Sequence, residues 1–164
     1  MRKNVLAVGL LLSFAGGIAP ALAADPCEAG KWPLAREMGW FQSATLAKPG
    51  AALLPGHAAV IALQPTDKVQ YLVPSSRKPA DKTFGEVVST AVASEGVYQI
   101  TLSDEAWIEV VQGGKLVKVE AFTGIKECPG LRKSVRFKLA QGPAAIEIFG
   151  AAGDRLLVAV APAE

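Results

Sequence analysis

"WIEVVQGGKLVKVEA" (Trp107–Ala121) decides the fold. Two alternating runs flank Gly113-Gly114, and paired glycines take the positive φ values that a two-residue hairpin turn requires. A turn of that length sets the register: Gln112 faces Lys115, Val110 faces Val117, and Ile108 faces Val119. The last two pairs form an apolar face. On the opposite face Glu109 lies across from Lys118, an opposite-charge pair, and Trp107 and Glu120 share that side. The stretch reads as a β-hairpin with one buried and one exposed face.

The period of two extends outward from it. Tyr98, Ile100 and Leu102 alternate with Gln99 and Thr101, while Val135, Phe137 and Leu139 alternate with Ser134, Arg136 and Lys138. Further strand-like runs are "AAVIALQ", "KVQYLV", "FGEVVSTAVA", "AAIEIFG" and "RLLVAVA". Many short strands without helical crossovers predict a mainly β chain, an antiparallel, jelly-roll-like β-sandwich. Upstream, Pro33 suits the first turn of a helix, and Leu34, Met38 and Phe41 recur at helical spacing on one face. "KPGAALLPGH" then breaks regular structure. The expected organisation is a leader at 1–23, an N-terminal helix and connector at 24–57, and the sandwich at 58–164.

The leader reads as a secretory signal. Arg2 and Lys3 precede an apolar stretch, and Ala21-Leu22-Ala23 offers small residues for cleavage. Gly16, Gly17 and Pro20 interrupt that stretch, which argues against a membrane span. Cleavage predicts a periplasmic or secreted chain with no remaining integral span. It also removes two of the 17 Lys+Arg, leaving 15 against the 15 Asp+Glu. A neutral chain lacks the broad positive field that nucleic acid requires, so any anion site must be local. Cys27 and Cys128 are the two cysteines, an even count that predicts one disulfide in an oxidising compartment.

Few residues suggest chemistry. His57 is the single histidine, too few for a structural zinc site or a facial-triad iron site, so neither metal nor cofactor is expected. No G-x-S-x-G elbow occurs, and Lys133 and Ser134, adjacent on a strand, point to opposite faces. Asp104, Glu105, Glu109 and Glu120 are the carboxylates for acid–base work, if two of them flank a cleft.

Two binding surfaces remain. Trp107, Glu109, Lys118 and Glu120 share the polar face of the hairpin. Either Trp107 is an exposed platform for a sugar or a protein, or the N-terminal helix covers it with Leu34, Met38 or Phe41. In "AFTGIKECPGLRKSVRF" (Ala121–Phe137), Arg132, Lys133, Arg136 and Lys138 crowd the Cys128-Pro129-Gly130 turn. They form a local anion patch or a charged strand edge that deters aggregation. A second basic loop, "SSRKPADK", supplies Arg77, Lys78 and Lys82, with no indication of where it lies.

"GVYQITLSDEAWIEVVQGGKLVKV", with "SVRFKLAQGPAAIEIFG" and "RLLVAVAP", resembles the bacterial pre-peptidase C-terminal type of β-sandwich. In that family a G-x-Y-x-x-x-L strand and a terminal L-x-V strand frame a small jelly roll. The likeness covers the C-terminal half; the N-terminal helix, the cysteine pair and "CPGLRKS" depart from it. The whole chain also resembles small proteobacterial periplasmic proteins, which implies a compartment and no activity. The function expected is a non-catalytic envelope module binding a glycan or a protein partner. The alternatives are a small carboxylate-dependent hydrolase and a structural or inhibitory envelope protein.

Overall fold

The computed structural model describes residues 26–48 and 50–164; the secretory leader expected at 1–23 lies outside the described residues. A short helix, α1 (Ala35–Gln42), comes first. The strands follow: β1 (Thr45–Leu46), β2 (His57–Ala62), β3 (Gln64–Pro65), β4 (Phe84–Val92), β5 (Gly96–Leu102) and β6 (Trp107–Gln112). Then come β7 (Lys115–Leu116), β8 (Val119–Gly124), β9 (Lys133–Leu139), β10 (Gly142–Ala151) and β11 (Arg155–Pro162). They build two facing sheets. The six-stranded sheet runs β1-β2-β11-β5-β9-β8, and the five-stranded sheet runs β3-β4-β10-β6-β7. Pairing is antiparallel except for β1 against β2, so the chain is the β-sandwich its alternation predicts.

Alternation places the core. Ile100, Leu102, Phe137, Val158 and Val160 of the six-stranded sheet meet Ile108, Val110, Ile146 and Ile148 of the five-stranded sheet. These side chains are buried between the sheets, where apolar area removed from water stabilises by about 25 cal/mol per Å².

Both outer faces are also covered. On the six-stranded sheet lies α1, and Leu34, Met38 and Phe41 pack with Ile125, Cys128 and Leu131 in a small second core. The Cys27–Cys128 disulfide closes beside it, with the two Cα atoms 4.6 Å apart. From α1, buried Glu37 reaches that sheet, and its Oε1 accepts Gln99 Nε2 at 2.7 Å and Arg36 Nη2 at 2.7 Å. On the five-stranded sheet lies an irregular strap, residues 69–83.

Two expectations are corrected here. The hairpin turn forms, with Gly113 and Gly114 at φ 60° and 74° and Gln112 opposite Lys115. Val117 N–H still donates to Val110 O at 2.8 Å, but the pairing stops there. After Lys118 the chain crosses to the other sheet, where Val119 pairs with Phe137 and Phe122 with Val135. The expected Ile108–Val119 and Glu109–Lys118 pairs therefore do not form; on the other edge of β6, β10 sets Ile108 opposite Ile148 and Glu109 opposite Glu147. The second correction is "KVQYLV", which is no strand. It forms the start of the strap, and Leu72 N–H donates to the Glu147 carboxylate at 2.6 Å rather than to a strand carbonyl.

Candidate functional site: a half-exposed indole between two basic segments

Trp107 opens β6 on the outer face of its sheet, because its neighbour Ile108 points into the core. It stays 42% exposed. The helix does not cover it: Leu34, Met38 and Phe41 do share one apolar face at α1, but the disulfide tethers that face to the other sheet. Two cations flank the indole instead. The Arg77 guanidinium carbon lies 4.2 Å from the ring centre and Lys133 Nζ 4.7 Å from it. Each such contact contributes about 0.5–1 kcal/mol at an exposed site. Gly150 lies against the ring edge, where a Cβ would come within 3.2 Å of Trp107 Cδ1. Arg77 comes from the strap and Lys133 from the start of β9, so the two basic loops meet at one aromatic side chain.

Lys133 and Arg132 are also ion-paired. Lys133 Nζ donates to Glu105 Oε1 at 2.7 Å and to Ala106 O at 2.8 Å, and Arg132 Nη2 lies 2.6 Å from Glu105 Oε2. Partial burial alone would raise the Glu105 carboxyl. The Lys133 hydrogen bond and the charges of Lys133, Arg132 and Lys126 outweigh it and hold the group below the usual carboxylate range. Glu105 is thus an internal anion gripped by both cations. The crowding around the Cys128 turn has a local reason: it presents Arg132 and Lys133 to Glu105 and Trp107.

The other two members of the expected basic quartet lie apart from this pair. Strand alternation sends Arg136 and Lys138 to the outer face of the six-stranded sheet. Arg136 stacks 4.1 Å from the Trp32 ring centre and donates to Gln99 Oε1 and to the Glu164 carbonyl. Lys138 is exposed, 3.4 Å from Glu95. The quartet is therefore not one surface.

The expected hairpin face divides as well. Trp107 and Glu109 stay together on β6, whereas Lys118, exposed, lies in the connection between β7 and β8 and Glu120, also exposed, is on β8 in the other sheet. Glu109 lies under the strap, where its Oε1 accepts the Ser76 N–H at 3.0 Å and the Ser76 hydroxyl. The four carboxylates considered for acid–base work are dispersed. Asp104 accepts the Ser103 hydroxyl, Glu105 is ion-paired, Glu109 is beneath the strap, and Glu120 is on β8. His57 is exposed at the start of β2.

Three residues of this region escaped the sequence reading: Arg77 as a partner of Trp107, and Tyr71 and Glu147 beneath the strap. Tyr71 packs edge-on against Phe149, with ring centres 6.0 Å apart. Glu147 had a signal in "AAIEIFG", where a lone acid alternates with isoleucines and so marks an outer face that something covers. Beside Arg77, strap residues Ser75, Lys78 and Lys82 line a groove of about 710 Å³ with Tyr71. Among the described residues no helix is long and apolar enough to cross a membrane. No protein-family model and no curated protein matches the chain.

Proposed function

We propose that the chain is a non-catalytic β-sandwich module of the cell envelope that binds an acidic glycan at Trp107. The observation that carries this reading is the meeting of Arg77 and Lys133 at one half-exposed indole. An indole offers an amphipathic surface to a sugar ring, and adjacent cations engage carboxylate or sulfate groups. Glu105 already shows the chemistry, a carboxylate held by Arg132 and Lys133. The groove lined by Lys78 and Lys82 gives a longer anionic chain room to continue along the strap. With as many acidic as basic residues after the leader, attraction is local and depends on these side chains. The leader and the disulfide support a periplasmic or secreted location, since such bonds persist in oxidising compartments.

Calorimetric titration with polygalacturonate, and with neutral dextran as control, tests the reading. Binding of the acidic polymer alone is expected, weakening as salt screens the contact. Arg77→Ala and Lys133→Gln are each expected to weaken it about tenfold, the equivalent of one charge-assisted contact. Equal binding of dextran, or unchanged affinity in both variants, would sink the proposal.

A further inference from the structure

The binding reading makes no use of the carboxylates beneath the strap. Glu109 and Glu147 are register partners on adjacent strands, which brings their Cβ atoms to about 5 Å. Glu147 is 0% exposed. Each has its Oε1 occupied by the strap: Leu72 N–H donates to Glu147, and Ser76 N–H donates to Glu109. Each has its Oε2 buried and without a hydrogen-bond donor. Two ionised carboxylates so placed would repel each other in a site that excludes water, with two acceptors unsatisfied. One proton resolves both problems, because a protonated Oε2 donates to the other Oε2.

We infer that Glu109 and Glu147 hold a single proton between their buried Oε2 atoms and that this proton latches the strap onto the sheet. The surrounding groups favour it. On β4, Val87 is the register partner of Glu147, while Glu86 lies opposite Ile148 and has Val87 N–H and Gln64 Nε2 donating to it. From the strap, Tyr71 brings a buried hydroxyl that lacks a well-formed hydrogen bond. Burial raises the tyrosine hydroxyl; the Thr66 side chain lowers it in part, and the charges of Glu147, Glu86 and Glu109 raise it further. Arg77, the cation of the strap nearest this region by chain position, is engaged with Trp107. Burial likewise pushes Glu147 above the usual carboxylate range; the Leu72 and Val73 amides offset this in part, and the Glu109 charge adds to it.

The sign follows from a carboxyl raised by folding. Its contribution is fully present below the ordinary carboxylate pKa and is lost as pH rises through the raised one. The strap is therefore held most firmly at acidic pH and loosens as pH rises through the raised Glu147 pKa, when the shared proton leaves for solvent and two buried anions face each other. Arg77 then leaves Trp107. That last consequence, a loss of glycan affinity as pH rises through the raised carboxyl pKa, rests on the binding reading above; the latch itself does not.

Carboxyl ¹³C NMR of the glutamate-labelled full chain tests the latch directly, with amide protection of Leu72 and Ser76 read alongside after correction for the intrinsic exchange rate. The Glu147 carboxyl is expected to titrate above the ordinary carboxylate range of about 4 to 5, with the Glu109 carboxyl signal moving in the same step as the shared proton leaves. Between the ordinary carboxylate pKa and the raised one, amide protection at Leu72 and Ser76 falls about tenfold per pH unit, as linkage requires for one proton lost per opening. Glu147→Gln keeps an acceptor for Leu72 and supplies a permanent donor to Glu109, so its strap protection is expected to be independent of pH. Should that variant fail to fold, Glu109→Gln places the same donor on the opposite strand. A Glu147 carboxyl that titrates within the ordinary carboxylate range, or a glutamine variant whose strap keeps the wild-type pH response, overturns the latch. A latch that titrates as stated while polygalacturonate fails to bind would leave it standing and remove only the proposed function.

Discussion

Replacing both bridge cysteines, Cys27→Ala with Cys128→Ala, is expected to lower the unfolding free energy by about 4–5 kcal/mol. The bridge joins residues 101 apart in sequence, and a closed loop of that size removes much of the freedom of the unfolded chain. A folded-state term adds to this. Cys128 belongs to the small core formed by Leu34, Ile125 and Leu131, and the bridge holds the N-terminal segment against that core. In a domain of this size the loss amounts to a melting temperature lower by about 10–20 °C. Guanidinium unfolding of the oxidised and double-alanine proteins measures it. A difference under about 1 kcal/mol would mean that α1 docks equally well without its tether.

Glu37→Ala is the next largest effect, expected at about 3 kcal/mol. Glu37 is 1% exposed and joins α1 to the six-stranded sheet through Gln99 and Arg36. Its removal leaves the amide of buried Gln99 and part of the Arg36 guanidinium without their acceptor. Arg36 keeps its bonds to Glu164 Oε1 and the Pro162 carbonyl, so it does not become an isolated charge. Glu37→Gln, which retains one acceptor oxygen, is expected to recover about half of the loss. The damage stays on one side of the sandwich: the fluorescence of Trp40 in α1 changes, while the Leu72 and Ser76 amides keep their protection. Equal loss of protection on the strap would show that the two covered faces unfold as a unit.

Periodicity reveals which face a strand residue occupies, and here it did so for β5, β6 and β9. It does not say which strand lies alongside. Val119 fits an apolar partner equally well in Ile108 or Phe137, so the sheet change after Lys118 is invisible in the hairpin sequence. Composition misleads at "KVQYLV" for a related reason. The segment has strand-forming residues, but the Leu72 amide finds its acceptor on the Glu147 side chain, and nothing local encodes that. The apolar face of α1 was legible from Leu34, Met38 and Phe41, yet its destination depended on where Cys128 sits in three dimensions. Of the site itself, Trp107 and Lys133 stood out as an aromatic on a polar face and a cation beside a fixed turn. Their meeting with Arg77 is tertiary, since the strap must first be laid across the sheet by Glu109 and Glu147.

Side-chain NMR of the oxidised chain during titration with an oligogalacturonate tests the location of the site most directly. The account predicts that the Trp107 indole N–H and the Arg77 and Lys133 side-chain signals shift together and saturate together. Trp32 and Trp40, on the opposite side of the sandwich, should stay still. Shifts centred on Trp32 and Arg136, or no shift at Trp107, would contradict it.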